Sequence, residues 1–544
     1  MAVWDEEFDL VCVGSGLGGC AAAVAGAEAG LEAVVLEKTP RVGGQTAWSQ
    51  GIVWVGNTGA AENDSAEDTR AYLDYLGAGR ADPDVTASFV EHAPRALRFF
   101  QERGVALYPV ESLPDHWFPL GAGSKPGGRS HQVQPFEARS LGDWRERLEF
   151  TPYGHGRVTF EEMAAWGGRA GYRNWDRAVI AQREADDVRT FGAGLAGHFF
   201  KAVLDHKVPV RVEAKASRLI VEDDRVVGLE LEGGRCVRAR KGVVLATGDY
   251  NASQQLMGWW DEFGSWPPTG APRNQGDGFV MAAERGAAFS IMHWKLVAQL
   301  GYSVPGEAVE GQPLARTAGA REIAYPHSVL VNRAGHRFAD EAAFGDVTTN
   351  LRAFDADSHH LVNVPCWFIF DSQYLNKYGL QPLAPGAEPP DWLPHAASLA
   401  ELGQILGIDA DGLCSTVERF NHFVRKGADE DFHRGHIPWS NRAAGDSSQK
   451  NPNLGSISEP PFFGLELLTT GTSAVGLVTN AHGQVIHLRG HAIPGLYACG
   501  DVAAGRHVGV GYQAGLSLAG AMTFGWLAAQ HAAGSSPIAM GEAR

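Results

Sequence analysis

Three glycines and one glutamate carry the first chemistry legible in this chain. Gly14, Gly16 and Gly19 follow an apolar run, Leu10 to Val13, and open an Ala-rich stretch reaching Ala29. A second apolar run, Ala33 to Leu36, ends at Glu37. That spacing predicts strand, tight turn, helix and strand, the unit that binds a dinucleotide. Gly14 allows the turn, Gly16 lets the backbone approach a pyrophosphate, and Gly19 lets helix and strand pack closely. Free N–H groups at the helix start attract phosphate charge. Glu37 is placed to accept the hydroxyls of an adenosine ribose, with Lys38 beside it, and Gly18 completes the turn.

Glu37 alone does not separate NAD from FAD. The next stretch, Gly43-Gly44-Gln45-Thr46 followed by Ser49 and Gly51, resembles the loop that closes over a flavin's pyrophosphate in glutathione-reductase-like flavoproteins. Paired glycines permit that close approach. Short β-type runs from Pro209 to Val237, Ala216 among them, predict an antiparallel meander. The buried run Gly242 to Ala246 then ends in Thr247-Gly248, the expected second approach of backbone to the dinucleotide. Asp277 is placed to cap a helix from Phe279 to Arg285. Near the end, Ala492 to Asp501 reads as a strand closing on Gly500-Asp501. Gly505 to Gly515 is a glycine-rich loop, and Leu516-Ser517 opens a long apolar helix to His531. The resemblance of the Gly43-Gly44 loop to flavoproteins makes FAD the expected cofactor, and no second complete GxGxxG unit offers a nicotinamide domain.

These elements need a frame. At 544 residues the chain exceeds the size of a single core, so two domains are expected. The texture changes between residues 285 and 455, with long loops and scattered aromatics. The expected fold is α/β: a Rossmann-type FAD-binding domain in two parts, 1–284 and 456–544, split by an inserted α+β cap, 285–455. A net charge of −17 argues against a nucleic-acid partner. Six cysteines without a CxxC pair suggest a reducing compartment and no structural metal. Asp429-x-Asp431 lacks neighbouring ligands and does not alter that. The acidic start and the absence of a long apolar run lead to the expectation of a cytoplasmic protein without a membrane segment.

An ordered set of segments across nearly the whole chain resembles the flavoprotein superfamily of fumarate reductases and 3-ketosteroid Δ1-dehydrogenases. To the motifs above it adds Val331-Asn332-x-x-Gly335-x-Arg337-Phe338-x-x-Glu341, Pro494-Gly495-Leu496-Tyr497-Ala498-x-Gly500-Asp501 and Ala521-Met522-Thr523-Phe524-Gly525. The resemblance implies that the inserted domain caps the flavin ring, that Asp501 binds the ribityl chain, and that the helix from Leu516 faces the pyrimidine end. The dicarboxylate branch clamps its substrate with arginines, and here Gly511 takes the loop arginine's place. His507 falls on that branch's histidine. Arg139-x-Leu141-Gly142, Arg419-Phe420-Asn421 and Pro460-Pro461-Phe462 look like the ketosteroid branch. By that likeness Gly515 is the oxyanion glycine, while the loop tyrosine falls on Gly511, with Tyr512 displaced by one. The family's basic tyrosine is replaced by Phe344 and Gly345, and His116 and Trp117 stand near its first-domain tyrosine.

Desaturating a ketone needs a hydride acceptor under the β-carbon, a base at the α-proton and donors at the carbonyl oxygen. FAD is the expected acceptor, and Gly515 and Tyr512 the expected donors. Tyr325, Tyr302, His116 and His507 remain open as the base; histidine titrates near neutrality without help, whereas tyrosine needs a positive environment. Arg129 and Arg139 suit either structural salt bridges or a charged substrate group. The first expectation is desaturation of a cyclic ketone, a 3-oxosteroid or a smaller oxo-cyclohexane compound, with electrons passing to a quinone, a protein or oxygen. The alternatives are a flavin-dependent enone or enoate reductase, and a hydratase or isomerase using FAD without net redox change.

Overall fold

The computed structural model of the chain describes residues 3–151, 156–261, 263, 267–291, 298–317, 319–471 and 474–534. Leu10 to Val13 and Ala33 to Leu36 are apolar at every position, and the fold buries them on both faces as interior parallel strands. The main sheet runs Gln484–Ile486, Ala492–Ala498, Cys236–Leu245, Glu6–Val13, Ala33–Leu36, Val210–Arg211. Its pairs are parallel except at the Gln484–Ile486 edge. Strands Ala216–Glu222 and Arg225–Leu231 form the expected meander and hang from Cys236–Leu245 in antiparallel register.

Helix Leu17–Glu28 has almost no polar face, and its first ten residues are buried. Small side chains let it sit between the sheet and helix Leu516–Ala532, which is likewise buried almost throughout. Helices Ala66–Gly77 and Pro83–Gln101 form the helical excursion of the first domain. Each starts on a side-chain cap, Ser65 and Asp82.

The split α/β architecture is as expected. The cap is an antiparallel sheet in the order Gln312–Thr317, Ala298–Val309, Phe462–Gly471, Cys366–Asp371, Ser328–Val331. Strand Phe462–Gly471 lies beyond the junction expected at 455/456, yet sits at the centre of the cap sheet. Only after it does the chain return to the first domain. Helices Leu399–Leu406 and Ala410–Lys426 cover one face of the cap sheet through Leu402, Leu413, Val417 and Phe420. Among the described residues no helix is long and apolar enough to cross a membrane.

Candidate active site

Between the main sheet and the cap lies a cavity of about 430 Å3. Its floor is the glycine turn. Gly14 has φ +111°, and a Cβ there would lie 2.3 Å from the Ala246 carbonyl oxygen, so no other residue fits the turn. At Gly16 the situation is opposite. A Cβ would meet nothing closer than Thr46 Oγ1 at 3.6 Å, so the space beside it is kept open for something other than protein. The Ser15 N–H and hydroxyl donate to Glu37 at 3.1 and 2.7 Å, and the Gly43 N–H donates to the Ser15 hydroxyl oxygen at 3.0 Å. The glycine turn, the acid and the Gly43-Gly44 loop are thereby one unit. No side chain caps helix Leu17–Glu28, and its first turn holds no acid. Thr190 Oγ1, Thr247 Oγ1 and Asn274 Nδ2 line the cavity, buried and without hydrogen-bond partners among the described residues. Buried polar groups are normally paired, so an open cradle with three orphaned polar atoms fits a polar ligand of dinucleotide shape.

Most of the expected cofactor contacts lie on this wall: Gly14, Gly16, Gly18, Glu37, Lys38, Gly44, Gln45, Thr46, Ser49, Gly51, Ala216, Thr247, Gly248, Asp277, Gly500, Asp501, Gly515 and Ser517. Gly19, Gly43 and Leu516 stand just behind it. Gly19 packs on the Gly14 carbonyl, and Leu516 lines a side pocket of about 70 Å3. Asp277 is not the helix cap; Gly276 holds that position in a left-handed conformation, and Asp277 forms a 2.5 Å ion pair with Lys38.

The catalytic candidates separate clearly. Tyr512 and Gly515 lie on the cavity wall, at the start of helix Leu516–Ala532, whose first turn again has neither cap nor acid. A side chain at Gly511 is excluded, since its Cβ would lie 2.3 Å from the Leu76 carbonyl oxygen, so no tyrosine fits there and the loop's tyrosine stands one place on, at Tyr512. His116 is buried, its ring 5.3 Å from Tyr512 and 4.1 Å from Trp439 of the cap. With Tyr512, Ala343 and Gly345 it lines a small pocket of about 20 Å3 where the two domains meet. His507 lies on the other side of the loop, stacked 4.7 Å from Phe89 and lining the side pocket. Tyr302 and Tyr325 are buried in the cap's apolar cluster. The Tyr302 hydroxyl donates to the Gln381 carbonyl at 2.6 Å, and burial pushes its pKa well above the ordinary value. Tyr325 stacks on Tyr378 at 4.8 Å, and its carbonyl accepts from Arg434 at 2.8 Å. Neither tyrosine is on the cavity wall.

Residues 9–518 match the FAD binding domain family. The chain belongs to that family. A 4-oxocyclohexanecarboxylate 2-dehydrogenase of Sinomonas cyclohexanicum is 33% identical over 98% of this chain and 94% of its own length. A 3-oxosteroid 1-dehydrogenase of Mycobacterium tuberculosis is 32% identical, over 97% of this chain and 98% of its own. The crystal structure of 3-ketosteroid delta1-dehydrogenase from Sterolibacterium denitrificans in complex with 1,4-androstadiene-3,17-dione superposes with a TM-score of 0.89 at 29% identity. It covers 98% of this chain and all of that one. FAD is the cofactor. The cavity wall from Gly14 to Asp501 would hold it, with the orphaned Thr190, Thr247 and Asn274 as further polar partners; of these three, local sequence singles out Thr247 but not Thr190 or Asn274.

In this FAD binding domain protein the shared motif Arg337-Phe338-x-x-Glu341 is a structural clamp. Arg337 binds Glu341 at 2.7 Å and Asp429 at 2.9 Å, and Arg434 reaches Glu341 at 3.2 Å, all buried. Asp431 pairs with Arg419, so the Asp429-x-Asp431 pair is divided between two arginines. Among the described residues no group of three or more metal-type ligands exists. Arg139 is exposed and pairs with Asp186, while Arg129 is consumed by Asp64 and Asp115.

Beside the clamp, burial raises the Asp340 carboxyl to about 7, against the opposing pull of the Ala342 N–H that donates to it at 2.8 Å. Half-exposed His436 lies 3.9 Å away. An unfolded aspartate titrates near 3.9, so between about pH 4 and 7 the unfolded chain has lost a proton that the folded one keeps. Stability therefore falls as pH rises through that window. Asp340→Asn, neutral throughout, should flatten the fall: thermal denaturation should give a higher Tm than the parent at about pH 8, a smaller gain at about pH 5 and none at about pH 4.

Proposed function

We propose that this protein introduces a carbon–carbon double bond beside the carbonyl of a cyclic ketone. One observation carries the reading: Tyr512 and Gly515 stand on the wall of the cavity that holds the FAD cradle, at the uncapped N-terminus of a 17-residue helix. FAD, when bound, supplies the acceptor for the β-hydrogen and its electron pair. The Tyr512 hydroxyl and the Gly515 N–H donate to the carbonyl oxygen, where negative charge grows as the α-proton leaves. The helix N-terminus adds partial positive charge on the same side.

His116 is the proposed proton acceptor. Of the four candidates it alone lies in the pocket between the domains that Tyr512 also lines. A neutral imidazole matches α-proton removal near neutral pH. Trp439 closes this pocket against His116 and keeps bulk water from the enolate. The two dehydrogenase relatives act, by their names, on an oxocyclohexane carboxylate and on 3-oxosteroids, and a ring ketone is what these substrates share. The electrons then leave to an external acceptor: a quinone, another protein or oxygen.

The test is anaerobic. The yellow protein is mixed with 3-oxosteroids, cyclohexanone, 4-oxocyclohexanecarboxylate and succinate, and the flavin absorbance is followed. Rapid bleaching by a saturated cyclic ketone is expected, with no bleaching by succinate. If no ketone bleaches the oxidised protein but an enone recolours the chemically reduced one, the reaction runs as a reduction and the proposal fails.

A further inference from the structure

Gln513 sits between Tyr512 and Gly515 but is absent from the main cavity wall, and it is only 1% exposed. Its Oε1 accepts two hydrogen bonds, one from the Tyr72 hydroxyl at 2.8 Å and one from the His116 backbone N–H at 2.8 Å. Tyr72 belongs to helix Ala66–Gly77, and burial, then the nearby Asp115, pushes its pKa well above the ordinary value. It stays a donor. Two donors fill the capacity of an amide oxygen.

These bonds close a ring. From Gln513 the first bond leads to His116, and its chain neighbour Asp115 accepts the Trp54 indole N–H at 2.7 Å. The Trp54 backbone N–H donates to the Gly515 carbonyl at 3.1 Å, and Gly515 is two residues from Gln513. Asp115 is pinned further by Arg129 at 2.9 Å and by the Lys125 N–H at 2.8 Å. Such a ring fixes the separation of His116 from Gly515 and holds Tyr512 between them.

We propose that Gln513 is the positioning residue of this site, setting the distance between the proton acceptor and the carbonyl donors while touching neither substrate nor FAD. The inference rests on the reading of His116, Tyr512 and Gly515 given above. A displacement on the order of 1 Å costs about 100-fold in turnover when reacting groups are held this way.

The test uses FAD-loaded protein and the ketone that bleaches the parent. Gln513→Leu should keep FAD and a KM within about threefold, while kcat falls roughly 100-fold. Gln513→Glu keeps an acceptor oxygen in the place of Oε1 and should recover at least about tenfold of that loss. In the Leu variant the His116 amide should exchange hydrogen at least about tenfold faster, with the strand Leu10 to Val13 unchanged. Should the Leu variant fail to hold FAD, Tyr72→Phe releases one of the two bonds and should give a smaller loss confined to kcat. A Leu variant with parental kcat, equal losses in the Leu and Glu variants, or an unchanged His116 amide overturns the proposal. If the parent oxidises no ketone, the function reading has failed, and the exchange of the His116 amide alone decides whether Gln513 positions the loop.

Discussion

Gly16→Ala should give a folded protein that has lost its hold on FAD. The backbone at Gly16, φ −69° and ψ 177°, is open to any residue. The nearest protein atoms to an added Cβ, Thr46 Oγ1 at 3.6 Å and the Gly43 carbonyl oxygen at 4.0 Å, are at ordinary contact distance. The fold therefore has no quarrel with alanine. What the methyl takes is the space beside the uncapped helix start, which a pyrophosphate needs to reach those N–H groups. We expect the FAD Kd, from titration of the apoprotein, to weaken at least about 100-fold, near 3 kcal/mol. The Tm of the apoprotein should move by less than about 2 °C, since the substitution touches no packing. Gly19→Ala is the contrast. Its Cβ would lie 1.9 Å from the Gly14 carbonyl oxygen, so that variant should fail to fold rather than fail to bind. An unchanged Kd in Gly16→Ala would remove the pyrophosphate from this turn.

The difference between these two glycines marks what was legible in the sequence. Strand, turn, helix and acid lie within 32 consecutive residues, Glu6 to Glu37, and local spacing suffices to read them. The meander, the return strand and the C-terminal helix were legible for the same reason. The site's anchoring was not. Tyr72 and Gln513 are 441 residues apart, and His116 and Gln513 are 397 apart. No local pattern announces such bonds; the one signal was an amide side chain inside a glycine-rich loop already marked by Tyr512. Trp439 carries no signal of its own because helix Pro438–Ala443 is only six residues long, too short for a periodic pattern, and only the docking of the cap brings it to His116. Tyr325 precedes strand Ser328–Val331, a place that says nothing of the face it occupies, and that face is the cap's interior. The end of the cap was hard to read because Phe462–Gly471 carries strand-type residues, and hydrophobicity does not say which sheet a strand joins.

Tyr512→Phe should then show how the loop does its chemistry. The variant loses one hydroxyl and keeps the ring that packs against His116 at 5.3 Å. FAD content and Tm should match the parent. Removing a donor from the site of a developing oxyanion costs on the order of 100-fold in turnover. We expect that loss in the anaerobic single-turnover rate with a ring ketone, and little change in KM, because the bond matters most when the oxygen carries charge. The loss should stop short of complete, since the Gly515 N–H and the helix start remain. The tyrosine cannot be restored one residue earlier. At Gly511 the Leu76 carbonyl stands 2.3 Å from the position of a Cβ, so Gly511→Tyr in the Tyr512→Phe background should disrupt the loop rather than rescue it. A Tyr512→Phe rate within threefold of the parent would make Tyr512 a packing residue. The carbonyl would then be bound by the Gly515 N–H and the helix start alone, and charge stabilisation here would come from backbone.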